Sequence, residues 1–168
     1  MATLNEGETT EDPGVYKRKF LVIVDDSEEC DRAVTFAALR MRRMGGTVML
    51  LYVIEPDQFQ HWLGVENIMR AEAMEEAEKL LDKFKNRIAA LGKIKVETVI
   101  REGRKAEEIE ALIAEDHDIA ILVLAASTSS EGPGPLVTAI ATRGASAYPI
   151  PVAIVPGSLT DAQLEVIG

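Results

Sequence analysis

Two stretches carry side chains that could do chemistry. The first is Asp25-Asp26-Ser27, which follows the apolar run Phe20-Leu-Val-Ile-Val24. Paired acids at the end of a strand also occur in phosphorylated receiver domains. That chemistry needs an acceptor Asp after the third strand and a Lys after the fifth, and those places hold Arg101-Glu102 and Pro156-Gly157. The second stretch spans residues 125–135. Ser127-Thr-Ser-Ser130 offers hydroxyl donors, and Gly132-Pro-Gly-Pro135 opens a helix. Glycines let backbone N–H groups turn toward an anion, and a helix start leaves N–H groups unpaired, so this is chemistry suited to a phosphate.

Other reactive side chains are few. A hydrolase needs a nucleophile with a positioned base. The two histidines are His61, beside Trp62, and His117, in Glu115-Asp-His-Asp118. The latter spacing puts no three metal ligands on one face and reads as a solvated turn. The motif Gly-x4-Gly-Lys-Ser/Thr is absent, as is the Ser-Gly-Gly-x-Asp-Ser loop of ATP pyrophosphatases. Catalysis is therefore the weaker class, with a slow ATPase left open. The single cysteine, Cys30, lies on the apolar side of a helix and reads as a small buried hydrophobe.

The elements that must position these residues follow from periodicity. Phe20–Val24, Thr47–Ile54 and Ile119–Leu124 are continuous apolar runs, the mark of parallel strands covered on both faces. Residues 93–101 alternate, as a wetter edge strand does, and Pro149–Val155 is a fifth strand whose prolines favour an edge or a strand start. Helices are predicted between them. One has Ser27 as N-cap and buries Cys30, Ala33, Val34, Ala37, Ala38, Met41 and Met44. The next, over residues 66–91, buries Met74, Ala77, Leu81, Phe84, Ile88 and Leu91. Two more cover residues 106–115 and 136–146, and Thr160 with Gln163 forms a capping box for a short C-terminal turn. Strands alternating with helices give an α/β fold, a single open doubly wound parallel sheet. Such sheets bind ligands beyond the carboxyl ends of their strands, where strand order reverses.

This layout resembles the universal stress protein family over about residues 19–156. Val24-Asp25-Asp26-Ser27-Glu28 is close to that family's Val-Asp-Gly-Ser-Glu, and Leu51-Tyr52-Val53-Ile54 to its Leu-His-Val-Ile. Arg101-Glu-Gly103 followed by Ala106-Glu-Glu-Ile109, and Pro151-Val-Ala-Ile-Val-Pro156, complete the ordered set. The resemblance implies five strands in the order 3-2-1-4-5, a flavodoxin-like or adenine nucleotide alpha hydrolase-like layout. It implies homodimers formed through the last strand, here Pro151, Val152, Ala153, Ile154 and Val155, and a regulatory or protective role in stress response. In one branch it implies ATP on a loop of form Gly-x2-Gly-x9-Gly-Ser/Thr. Asp25 resembles the family residue near the adenosine moiety, and Val53 the one whose backbone meets the adenine.

The loop departs from that form. Counting back from Pro151, the three glycine positions fall on Ala125, Thr128 and Thr138, and the Ser/Thr position on Ala139. A second alignment through Gly134 and Gly144-Ala145 puts the last glycine too close to the fifth strand. Each lost charge-assisted bond forfeits about 1.5–3 kcal/mol, and a Cβ forced into left-handed geometry about 1–2 kcal/mol. Asp26, in place of the family glycine, adds negative charge beside any phosphate. Two readings stand. In one, ATP, AMP or another phosphate ligand binds through Asp25, Val53, Ala125, Ser127, Thr128, Ser129, Ser130, Gly132, Gly134 and Thr138. In the other, the loop is a plain connector, Asp25 is a helix N-terminal carboxylate beside Ser27 and Val53 is core. The protein then acts without ligand, as an interaction module using its dimer and the insertion at 56–65.

Composition sets the remaining bounds. The 168 residues divide into a polar, acidic tail (1–17), one α/β domain (18–157) and a C-terminal extension (158–168). A net charge of −10 repels phosphate backbones, so nucleic acid is not an expected partner. Arg40, Arg42 and Arg43 read instead as a solvated helix end. The first residues have neither a basic start nor an apolar core, and no apolar run reaches the roughly 18 residues of a membrane span. With one cysteine, the expected setting is a reducing cytoplasm.

Overall fold

A computed structural model describes residues 18–56, 59, 64–143 and 148–168. The chain runs β1 (Lys19–Ile23), α1 (Cys30–Met44), β2 (Thr47–Ile54), α2 (Val65–Leu91), β3 (Lys95–Glu102), α3 (Lys105–Glu115), β4 (Ile119–Ala126), α4 (Pro135–Arg143), β5 (Val152–Pro156) and α5 (Asp161–Ile167). The strands form one parallel sheet in the order β3-β2-β1-β4-β5. Fold class and strand order are those the sequence and its family resemblance predicted.

The sheet is covered on both faces because its central strands, beyond Lys19 and Thr47 at the starts of β1 and β2, are almost wholly apolar. Side chains alternate across a strand, so successive residues of β1 enter different cores. Phe20, Val22 and Val24 pack with α1, α2 and Leu164 of α5, whereas Leu21 and Ile23 pack with Ile109, Leu112 and Ile113 of α3 and Val137 of α4. Fully burying a side chain of this kind contributes about 1.5–3 kcal/mol. β3 and β5 are the two edges, which explains the alternating, wetter pattern of β3.

Several local expectations change. α1 begins at Cys30 with Glu29 as N-cap and no side-chain cap bond, so Ser27 does not cap it. Met44 and Met74 are exposed, outside the buried stripes of their helices. β4 extends through Ala126, which makes Ala125 a strand residue and shortens the following loop. α4 starts one residue earlier than predicted, at Pro135, a residue suited to the first helical position.

The C-terminal turn is a helix with the predicted capping box: Gln163 N–H donates to Thr160 Oγ1 (3.2 Å), and Thr160 N–H donates to Gln163 Oε1 (2.9 Å). It lies across α1, with Leu164 fully buried. Two of the three arginines read as solvated are engaged there. Arg42 donates to the Leu91 carbonyl (3.1 Å) and pairs with Glu165, and Arg43 donates to the Glu165 carbonyl. The helix end is thus a fastening point for α2 and α5.

Candidate functional site

In a parallel sheet every strand is followed by a turn at the same end, and every helix begins there. The first turns of α1, α3 and α4 therefore border the carboxyl ends of β1, β2 and β4. Strand order reverses at β1, which lies between β2 and β4.

Asp25 stands at this reversal. The chain leaves β1 with Val24 N–H still donating to the Leu51 carbonyl (2.9 Å). Asp25 then accepts a hydrogen bond from Ser27 N–H (2.9 Å) and another from the Ser27 hydroxyl. Asp and Ser hold turns in this way, and the bonds orient the carboxylate at the rim.

Three hollows adjoin around it. The inner one, about 300 Å³, lies over the ends of β1 and β2 and is lined by Asp25, Asp26, Tyr52, Val53, Glu55, Phe59, Glu76 and Lys105, among others. The middle one, about 80 Å³, lies between β1, β4 and the start of α4, against Asp25, Glu29, Cys30, Lys105, Ala125 and the segment 133–137. The outer one, about 630 Å³, is walled by Glu29, Ser127, Ser129, Glu131, Gly132, Gly134, Pro135, Thr138 and Ala139. Asp25 and Lys105 belong to the first two, and Glu29, Gly134 and Pro135 to the last two, so the hollows form one crevice.

The structure thus brings Asp25, Val53, Ala125, Ser127, Ser129, Gly132, Gly134 and Thr138 to one place. Thr128 and Ser130 are exposed and are not on these walls. The loop is partly closed on itself. Ser127 N–H donates to the Pro133 carbonyl (3.1 Å), Gly132 N–H to the Ser129 carbonyl (3.2 Å) and Ser129 N–H to Ser127 Oγ (3.2 Å). Gly132 and Gly134 both have φ of 106°, a conformation that favours glycine. Thr138 lies inside α4, with its N–H (3.0 Å) and its hydroxyl (2.8 Å) both donating to the Gly134 carbonyl. The residue at the mouth of the helix is therefore Gly134. Leu136 and Val137, in the first turn, have N–H groups without intrahelical acceptors.

The field in the crevice is negative. Among the described residues, Asp25, Asp26, Glu29, Glu55, Glu76 and Glu131 line it, against the single cation Lys105. Burial pushes the Tyr52 phenol above its usual range, and the charges of Asp26, Glu76, Asp25 and Glu55 push the same way. The Cys30 thiol, on the floor, is pushed up to about 12, chiefly by burial. Its S–H faces the Ile23 carbonyl at 3.9 Å, so it is an inert core group, as its place in the helix stripe suggested.

Lys105, Glu29, Tyr52, Glu55, Glu76 and Glu131 were not singled out from the sequence. A signal existed for two of them: Glu29 is the N-cap of α1 and Lys105 the first residue of α3, and helix starts that follow strands face the crevice.

At the far edge, Pro151 and Ile154 are exposed, Val152 and Ala153 half-buried, and Val155 is in the core. Phe59 of the insertion is buried under Arg70, whose guanidinium is 5.8 Å from the ring centre. It is therefore unavailable as a contact for another protein; His61 and Trp62 fall outside the described residues. His117 is exposed on its turn. Among the described residues no group of His, Cys, Asp and Glu side chains could hold a metal ion, and no helix is long and apolar enough to cross a membrane.

An open, doubly wound parallel sheet with a crevice at its switch point defines the class of protein. The chain belongs to the Universal stress protein family, whose model matches residues 17–156. Among solved structures, it is similar to the universal stress protein UspA from Lactobacillus plantarum, at 21% identity and a TM-score of 0.67 over 83% of this chain and 97% of that one. It is also similar to the universal stress protein from Archaeoglobus fulgidus in complex with dAMP, at 17% identity and a TM-score of 0.60 over 82% and 97%. A universal stress protein family protein from Arabidopsis thaliana with AMP bound is 20% identical, with a TM-score of 0.58 over 83% and 91%. No curated protein matches the chain.

Proposed function

We propose that this protein is a nucleotide-binding regulatory or protective member of its family, acting as a homodimer in the cytoplasm. The observation that carries the reading is that Asp25 walls both the hollow over Val53 and the hollow under Gly134. A ligand laid along the crevice would touch the ends of β1, β2 and β4 together. Two relatives of the same fold hold adenine nucleotides, AMP and dAMP. The inner hollow is rich in acceptors, which suits the hydroxyl and amino donors of a nucleoside. The first turn of α4 supplies the donors that attract an anion.

Equilibrium dialysis with labelled ATP, AMP and cyclic AMP, after stripping co-purified ligand, tests this. Saturable binding of at least one below millimolar concentration is expected, and no binding at millimolar concentration ends the nucleotide reading.

The second reading is an interaction module that uses no ligand. It is favoured by the internal hydrogen bonds of the loop and by Ile154, 45% exposed on the unpaired edge of β5. Edge strands that present apolar side chains favour pairing with another strand, and two-fold dimers are the commonest assembly. Light scattering at micromolar concentration should return twice the chain mass of 18.3 kDa. A value near one chain mass refutes the dimer, and Ile154→Lys should shift the equilibrium toward the single chain.

A further inference from the structure

We propose that Lys105, Glu29 and Glu131 set the number of phosphoryl groups the crevice accepts, holding one and turning away a second and third. This rests on the nucleotide reading above and adds to it a rule of selection made by three residues of this chain.

The charges along the crevice are graded. Lys105, the first residue of α3, lines the inner and middle hollows and is absent from the outer one. It makes no ion pair among the described residues, so its ammonium is available at the boundary where a nucleoside would end and its first phosphoryl group begin. Leu136 and Val137, whose N–H groups have no acceptor within α4, line the middle hollow beside it. A cation and a helix start bordering the same space both favour an anion there.

Beyond that space the sign reverses. Glu29 stands on the wall shared by the middle and outer hollows, and Glu131 stands farther out. Among the described residues no cationic side chain lines the outer hollow. Of the loop N–H groups that would offset the carboxylates, those of Ser127, Ser129 and Gly132 are already bonded within the loop. There is also little free space beside Glu29. Gly157 packs so tightly against it that a Cβ at position 157 would lie 2.7 Å from the Glu29 Cβ. A second phosphoryl group would have to enter past one carboxylate toward another with no cation in reach.

The test is equilibrium dialysis of the full chain with labelled adenosine, AMP and ATP, at one fixed ionic strength and without divalent cation. AMP is expected to bind about tenfold or more tightly than either adenosine or ATP. Lys105→Ala should bring AMP to the level of adenosine, and Lys105→Arg should restore most of the difference. Glu29→Gln, alone and with Glu131→Gln, should raise ATP affinity about tenfold while leaving adenosine unchanged. Because both Glu29 variants report on the same ratio, either one that melts like the parent suffices. ATP binding as tightly as AMP, or an AMP-to-ATP ratio that neither glutamate variant moves, overturns the selection rule and leaves the nucleotide reading intact. Failure of all three ligands to bind ends the reading and the rule together.

Discussion

The two ends of the sheet treat charge in opposite ways. At the amino end, Lys19 opens β1 and its ammonium reaches Asp116 at 2.6 Å and Glu97 at 3.0 Å. Asp116 accepts a further bond from Asp118 N–H (3.0 Å), and Lys19 N–H donates to the Asp118 carbonyl (2.9 Å). The Lys19 and Asp116 side chains are only 13% and 22% exposed. At the carboxyl end, Asp26, Glu29, Glu55, Glu76 and Glu131 gather round the crevice, and none makes an ion pair among the described residues. Charges matched in place hold three elements in register. Charges left unmatched destabilise the fold slightly and remain free to meet a partner from outside. The difference separates the closed end of the sheet from the end that carries the candidate site more sharply than burial does.

Reaction of the lone thiol gives the largest expected contrast. With its thiol at about 12 against an ordinary 9.0, Cys30 should label about a thousandfold more slowly at pH 8 than a free cysteine peptide. Labelling at the peptide's rate under native conditions would show that the crevice floor is wet and the contrast between its walls and base is false.

Mutations at the two ends come next. Lys19→Met should cost about 1–3 kcal/mol in urea unfolding, because it leaves Asp116 short of a donor in a half-buried place. Asp26→Asn, by comparison, should be neutral or stabilising. Equal losses at both sites would dissolve the distinction.

Acidity separates the ends further. Burial works to raise the Asp116 carboxyl, but the Lys19 ammonium and Asp118 N–H outweigh it and hold the group below its ordinary 3.8. A depressed carboxylate contributes stability that is complete above its unfolded value and lost as pH falls through its folded one. Bonding to Asp116 raises Lys19 above 10.5, despite burial, so the same pair contributes below that value and loses its effect as pH climbs past the folded one. The parent chain should therefore lose stability below about pH 4 and above about pH 10.5 relative to Lys19→Met. Parallel profiles for the two proteins would remove the pair from the argument.

The smallest effect is salt. Added salt should stabilise the parent by a few tenths of a kcal/mol through screening among the crevice carboxylates, and that gain should shrink in Asp26→Asn.

Much of the frame is legible in the residues themselves. The runs Phe20–Val24, Thr47–Ile54 and Ile119–Leu124 carry almost no polar position, so they read as internal strands, and their alternation with helices points to a parallel sheet. Thr160 and Gln163 declare a helix start in three residues. Contacts between distant segments are harder. Arg42 and Arg43 look like an ordinary basic helix end until α5 folds back over them, and nothing at positions 42 and 43 encodes that return. Ser27 has the right type and place for a cap, but Asp25 competes for both its N–H and its hydroxyl. In the crevice, pattern locates the strand ends at Asp25 and Val53, the family resemblance supplies their expected roles, and Gly134 follows from the Gly-Pro-Gly-Pro opening of a helix. Lys105 was missed because a lysine in a first turn looks like any solvated charge, and only the path of α3 turns it toward Asp25.

Gly157 adds a mechanical consequence. Its N–H bonds the Ala126 carbonyl at 2.9 Å, and its Cα is pressed against Glu29 where no side chain would fit. The outermost strand and the lip of the crevice thus meet at a point with no room for a side chain. A side chain added at position 157 would have to displace Glu29 or the end of β5, so crowding at the edge strand would be felt at the crevice wall.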